Sequence, residues 1–193
     1  PGVMALVLML VCAMMTSISI VKEKEMGTME VILVSPLKPF RIIIAKTMPY
    51  LQVSMINVAS ILLLSVFVLD VPIVGSLTLL IAESILFTVT SLSIGILISN
   101  FAKTQQTAMF TSMMGLFLPT LLFSGFLFPI ENMPLLLQVI SNIVPSRWYY
   151  IIVKSIMIKG LGFASIWKET LILVGMTVVL LGVSIRNFKI RLA

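Results

Sequence analysis

Residues 2–21 read GVMALVLMLVCAMMTSISIV, and residues 22–30 continue as KEKEMGTME. The first stretch carries no charged side chain, and about 20 apolar residues in a helix cross the roughly 30 Å hydrocarbon core of a bilayer. The second stretch begins with four acidic or basic residues in succession, which membrane segments rarely carry, so it belongs in water. A membrane span therefore ends here at a water-exposed segment, and the rest of the chain repeats this alternation.

The composition of the whole chain agrees with a membrane location. Of its 193 residues, 60% are hydrophobic and 10% charged, against about 45–50% apolar and about 25% charged in soluble domains. The absence of His and the single Cys, Cys12, exclude a disulfide framework and argue against a metal or Cys–His catalytic centre. The net charge of +6 is typical of cytoplasmic loops and needs no nucleic-acid partner. We expect residues 1–193 to form one integral membrane domain.

Five apolar runs are long enough to cross the membrane, which predicts an all-α membrane protein with five transmembrane helices. The predicted spans are residues 2–21, 47–69, 77–98, 108–128 and 166–185. Nine of the 13 Lys and Arg residues fall on the side that holds loop 22–46, loop 99–106 and the C-terminus. The positive-inside rule assigns that side to the cytoplasm, which we take to border a bacterial or archaeal inner membrane. Pro1 then lies outside, and we expect a sixth helix upstream of it.

The stretch from Pro129 to Ile158 is apolar but interrupted by prolines. Proline lacks a backbone N–H and kinks a helix, and apolar pieces of about 10–14 residues are more often re-entrant or interfacial than spanning. We expect an extracytoplasmic re-entrant hairpin before the last helix, with Trp148, Tyr149 and Tyr150 at the lipid headgroups. The hairpin either caps the bundle or forms a gate. Its candidate residues are Gly125, Pro129, Glu131, Pro134, Pro145 and Arg147.

The charged segment has the pattern of an amphipathic helix on the cytoplasmic surface. Met26, Met29 and Leu33 fall on one helical face, and Pro36 ends the element. Such a helix can lie on the membrane or dock in the groove of a partner protein. The charge pattern alone fits equally well a loop helix that merely joins two spans.

Glu83 is an acidic residue inside the third predicted span. A charge at the centre of a span costs roughly 2.5–3.5 kcal/mol on insertion scales, so it often marks a transport pathway or a protein interface. The alternatives are that Glu83, close to the outer end of its span, reaches the outer headgroups or is neutral. Gln52 and Asn57 on the second span are the other candidate pathway residues, whereas the Ser and Thr residues of the spans are assigned to helix packing.

Two motifs resemble those of one transporter family. Residues 25–36, EMGTMEVILVSP, match every fixed position of the pattern E-x-G-T-x-E-x-x-L-x-[ST]-P, which belongs to the cytoplasmic coupling segment of type-2 ATP-binding-cassette (ABC) exporter permeases. Residues 124–134, SGFLFPIENMP, and residues 140–145, ISNIVP, resemble the outer hairpin of the same family. The resemblance covers essentially the whole chain through its order of spans and loops. The sequence departs from the family in lacking its first span.

The resemblance implies a permease subunit that works as a homo- or heterodimer with two separate ABC ATPase subunits. The segment 22–36 would dock in a cleft of the ATPase. Its implied coupling residues are Glu23, Glu25, Gly27, Thr28, Glu30 and Pro36. Because the chain lacks a phosphate-binding G-x-x-x-x-G-K-[ST] loop, ATP and magnesium would be used by the partner ATPase. The chain itself would bind no cofactor or metal, catalyse no reaction, and contact membrane lipids but no nucleic acid.

Two other classes of protein share this composition. A secondary transporter or channel-like protein driven by an ion gradient would show inverted repeats and paired ionisable groups near the midplane. An intramembrane enzyme would need a nucleophile and a base that converge within the bilayer. The coupling motif separates these classes from the exporter, because only the exporter has a use for it.

Overall fold

The computed structural model describes residues 1–28, 39–68, 70 and 73–187. These residues form helices and connecting turns, without a strand in the ranges described. The helices are α1 (Gly2–Glu25), α2 (Pro39–Phe67), α3 (Leu77–Phe101), α4 (Gln105–Phe123), a 3₁₀ turn (Ile130–Asn132), α5 (Leu135–Ser141), α6 (Pro145–Met157) and α7 (Phe163–Asn187).

Five of the described helices are long and apolar enough to cross a membrane. They are α1, α2 from Ile44 to Phe67, α3, α4 and α7, which confirms the predicted all-α membrane fold with five spans. The first helix continues past its apolar run to Glu25, so that Lys22 and Lys24 lie in its last turn. Basic side chains are favourable there because they face the negative end of the helix dipole.

Prolines begin the short helices of the hairpin. Pro129 precedes the 3₁₀ turn, Pro134 precedes α5, and Pro145 is the first residue of α6. Proline is tolerated at these positions because the first N–H groups of a helix have no intrahelical acceptor. The three helices have 3, 7 and 13 residues. Each is therefore shorter than a membrane span, as the spacing of the prolines predicts.

The third span, α3, is the centre of the bundle and packs against α1, α2, α6 and α7. Tyr149 of α6 is 0% exposed. Its ring stacks on Phe87 of α3 with centroids 4.1 Å apart, and its hydroxyl lies 2.7 Å from the Oγ of Ser84. Tyr149 therefore packs inside the bundle and is not exposed to the lipid headgroups. A buried tyrosine needs a partner for its hydroxyl, and α3 supplies it.

Hydroxyl and thiol groups join the spans to one another. Cys12 of α1 lies 2.9 Å from Ser54 of α2, Ser17 of α1 lies 2.9 Å from Ser112 of α4, and Thr90 of α3 lies 2.6 Å from Thr177 of α7. In lipid the hydrophobic effect does not drive helices together, so small residues and interhelical hydrogen bonds contribute much of their packing. The assignment of these polar residues to packing agrees with the structure.

Contacts at the helix ends show which loops lie together. The Nζ of Lys24 on α1 lies 2.6 Å from the carbonyl of Ser99 on α3, and the amide of Asn100 donates to the carbonyl of Ser184 on α7 at 3.1 Å. The C-terminal ends of α1, α3 and α7 therefore share one end of the bundle, which we call the basic end. It is the end that the positive-inside rule assigns to the cytoplasm.

Candidate functional site

The last turn of α1 is bonded to three other helices. Glu23 forms an ion pair with Lys46 of α2. Lys24 donates to the Ser99 carbonyl of α3 at 2.6 Å. Glu25 accepts two hydrogen bonds from Gln105 of α4, one from its backbone N–H and one from its side-chain amide, both at 3.1 Å. Three successive residues thus attach the end of α1 to three different spans.

Two of these side chains complete the ends of neighbouring helices. Ser99 lies in the last turn of α3, where carbonyls lack intrahelical donors, and Gln105 is the first residue of α4, where N–H groups lack acceptors. A cation at a helix C-terminus and an anion at a helix N-terminus also complement the helix dipoles. Lys24 and Glu25, which we call the turn-capping pair, therefore hold both sides of the turn 102–104 between α3 and α4.

The chain leaves α1 through a glycine. Gly27 has φ +71°, a left-handed conformation that commonly ends helices because glycine has no Cβ to clash. Its N–H donates to the Lys24 carbonyl at 3.3 Å, and the hydroxyl of Thr28 donates to the Glu23 carbonyl at 3.3 Å. Gly27 and Thr28 are both exposed. Within the part of the chain that the structure describes, a Cβ at Gly27 would meet no atom within 4 Å.

The remaining residues assigned to coupling, Glu30 and Pro36, lie outside the described residues. A groove of about 400 Å³ runs between α1 and α2 beside the Glu23–Lys46 ion pair. Its lining is apolar on the side of the spans and charged at the basic end. It consists of Met15, Ile18, Ser19, Lys22, Glu23, Met26 and Tyr50.

The hairpin at the opposite end is held by Arg147 of α6. Its guanidinium donates to the carbonyl of Gln138 at 3.2 Å and to the hydroxyl of Ser141, which ties α6 to α5. It also lies over the Trp148 ring, 5.3 Å from the centroid. Partial burial lowers the pKa of Arg147, but an arginine keeps its charge. These bonds make α5 and α6 one unit.

The other hairpin candidates surround this unit. Gly125, with φ +81°, turns the chain out of α4, and a Cβ there would lie 3.2 Å from Ile130. Glu131 is exposed in the 3₁₀ turn, whereas Arg147 bonds to α5. Pro129, Pro134 and Pro145 each stand at the start of a helix, as described above. The structure thus brings these residues into one region.

The three candidate pathway residues do not form one cluster. Glu83 is 3% exposed, and its Oε1 lies 2.8 Å from the hydroxyl of Thr170 on α7. Gln52 lies on an exposed face of α2, and Asn57 is half-buried on the same helix. Glu83 therefore faces the α3–α7 contact rather than a surface it would share with Gln52.

Sequence reasoning missed two residues of these sites. Lys24 was counted only among the basic residues of the cytoplasmic side, and Thr170 only as one residue of the last predicted span, 166–185. The alternation Lys-Glu-Lys-Glu at the end of a span was the available signal for Lys24, because neighbouring helix ends need both a cation and an anion. Thr170 carries no comparable signal, since its partner lies 87 residues away.

Comparison with known proteins identifies the family to which this chain is similar. The sequence model of the ABC-2 family transporter proteins matches residues 1–186. The chain is 31% identical over 192 residues to the probable multidrug ABC transporter permease YbhS of Escherichia coli strain K12, covering 100% of this chain and 51% of that protein. It is 32% identical over 169 residues to the probable multidrug ABC transporter permease YbhR of the same strain, covering 88% and 46%.

A eukaryotic relative is similar to nearly the whole of this chain, but over a smaller share of its own length. The ABC transporter G family member 20 of Dictyostelium discoideum is 25% identical over 187 residues, which cover 96% of this chain and 26% of that protein. The chain spans about half the length of the bacterial relatives. The match over residues 1–186 confirms the resemblance found in the sequence motifs, and the chain belongs to the ABC-2 family of transporter proteins.

Proposed function

We propose that this chain belongs to the permease subunit of an ATP-driven ABC exporter. In this proposal two permeases form the translocation path as a homo- or heterodimer. Segment 22–36 docks on a separate ABC ATPase subunit, which uses the ATP and magnesium. The observation that carries the proposal is the last turn of α1, where the segment carrying the family motif begins and is bonded to α2, α3 and α4.

The bonds at the end of α1 support a division of roles within the coupling segment. Glu23 and Glu25 are occupied by partners on α2 and α4, so they connect the segment to the bundle. Gly27 and Thr28 are exposed just beyond α1 and are suited to contact the ATPase. Glu30 and Pro36, outside the described residues, are assigned to that same contact by the motif. Movement of the ATPase would then be passed to three spans as a rigid-body displacement.

The hairpin is proposed as the gate at the far end of the path. Arg147 ties α6 to α5, while Tyr149 on α6 is packed against Phe87 of the central span. A shift of α3 would therefore move the hairpin as one body. Gly125, Glu131 and the three prolines would set its shape, and Glu83, Gln52 and Asn57 stay proposed for the path or the dimer contact.

The remaining assignments follow from the charge pattern and the relatives. We place the protein in the inner membrane as a multi-pass protein with its C-terminus in the cytoplasm, in contact with lipids and not with nucleic acid. The chain itself would bind no cofactor or metal and catalyse no reaction. Since two bacterial relatives are named as probable multidrug permeases, drug-like amphipathic compounds are the first substrates to assay.

The test is binding and stimulation of the ATPase in proteoliposomes that contain the complete permease. Gly27→Trp places a bulky ring at an exposed point, so we expect ATPase binding to fall by about tenfold, equivalent to about 1.4 kcal/mol. Gly27→Ala carries the same strain at positive φ without the bulk and is the control. If Gly27→Trp binds the ATPase as the wild type does, segment 22–36 is not the docking element.

A further inference from the structure

The carboxyl group of Glu83 is enclosed between spans. Its side chain is 3% exposed, and its Oε1 lies 2.8 Å from the hydroxyl of Thr170 across the α3–α7 contact. Its Oε2 is buried and has no hydrogen-bond partner among the residues described. A buried acid with one unpaired oxygen is expected to be either a costly bare charge or a neutral carboxylic acid.

The hydroxyl of Thr170 distinguishes these two states. It lies 2.8 Å from Glu83 Oε1 and also 3.0 Å from the carbonyl of Ile166, and a hydroxyl has one proton to donate. If Glu83 is ionised, that proton is shared between two acceptors. If Glu83 carries a proton on Oε1, it donates to Thr170, Thr170 donates to Ile166, and both contacts are complete hydrogen bonds. The geometry favours the protonated acid.

Among the described residues, no ion pair to Glu83 is found. Basic side chains of the helices that flank it lie over aromatic rings instead: Arg147 over Trp148, Lys154 over Tyr150 and Lys168 over Trp167. Tyr149 of α6 bonds to Ser84, the residue next to Glu83, and Cys12 is the ionisable side chain within residues 2–21 of α1. Both groups are neutral near pH 7. Glu169 of α7, next to Thr170, is another acid with a buried unpaired oxygen. Residues 51–67 of α2 and the whole of α4 have no ionisable side chain. The ion pair of the described residues is Glu23–Lys46, at the basic end.

We infer that Glu83 is a proton-binding site, which holds a proton while α3 and α7 are packed and releases it to water when that contact opens. The O–H bond forms when the carboxylate takes a proton from water, and it breaks when the proton returns there. The packed state binds one more proton than the opened or unfolded state, so acid stabilises it. Its stability falls as the pH rises, because opening then releases the proton more readily.

Infrared spectroscopy of the complete protein tests the protonation state directly. At pH 7.5 the wild type should show a protonated-carboxyl stretching band that Glu83→Gln lacks. Glu131→Gln, which removes an exposed acid, is the matched control and should keep the band. Thr170→Val removes the hydrogen bond but not the acid, so the band should stay and move to higher frequency. Identical spectra for the wild type and Glu83→Gln would overturn the inference.

A second measurement does not depend on the variant being stable. Unfolding of the wild type by denaturing detergent should release one extra proton, so its unfolding constant should rise by about tenfold per pH unit near neutral pH. Glu83→Gln should lose that dependence if it assembles. A wild-type unfolding constant that does not change between pH 6 and pH 8 would exclude a bound proton at Glu83.

Discussion

Replacing Gly95 by Leu is expected to prevent the normal packing of α1 against α3. A Cβ at Gly95 would lie 2.6 Å from the Ala13 carbonyl oxygen, 3.0 Å from the Ala13 Cα and 2.9 Å from the Thr16 Cβ. Two of these atoms belong to the backbone of α1, so rotation of a side chain cannot relieve the clash. Inserting methylenes into a packed core costs typically about 1–3 kcal/mol, and more when backbones must separate.

The measurement is the thermal unfolding midpoint of the purified protein in detergent, together with its yield in the membrane. Gly175→Leu is the control, because Gly175 lies within the span α7 and a Cβ there would meet none of the described residues within 4 Å. We expect a large loss of yield and a lower midpoint for Gly95→Leu alone. Equal midpoints for the two variants would show that α1 and α3 are not in close contact at Gly95.

Removing the turn-capping pair is expected to disconnect ATP hydrolysis from transport. The double variant Lys24→Met, Glu25→Gln leaves the carbonyl of Ser99 without the ammonium and the N–H of Gln105 without the carboxylate. Loss of the half-buried Lys24 bond should cost about 1–2 kcal/mol, because hydrogen bonds to charged groups contribute somewhat more than neutral ones. The bundle should still fold, since α1 and α3 keep their apolar contact.

The measurement is the ratio of substrate transported to ATP hydrolysed in proteoliposomes that contain the double variant. We expect this ratio to fall by more than tenfold while ATPase binding is retained, because the docking residues beyond α1 are unchanged. Lys22→Met makes the same substitution on an exposed lysine of the same turn and should leave the ratio unchanged. If the double variant transports normally, the attachment of α1 to the α3–α4 turn serves stability only.

The hairpin shows how far local sequence rules reach. Proline spacing predicted that residues 129–158 divide into pieces too short to span the membrane. The structure has three short helices there, each with a proline at or just before its start. The same stretch carries Trp148, Tyr149 and Tyr150, and local sequence rules place all three aromatic residues at the lipid headgroups. Tyr149 instead fills the core against Phe87, because α6 packs on α3, a contact between residues distant in the chain.

Length and hydropathy determined the five spans, because an isolated membrane helix must satisfy its own backbone and expose an apolar surface. Those requirements are local, so they can be read from a window of about 20 residues. The distribution of Lys and Arg along the chain determined which end of the bundle is basic. The partners of Lys24, Glu25 and Glu83 were decided only by the tertiary structure. Each of these side chains bonds to a residue at least 75 positions away. A charge pattern in the sequence indicates that such a side chain needs a partner, but it does not indicate which helix supplies that partner.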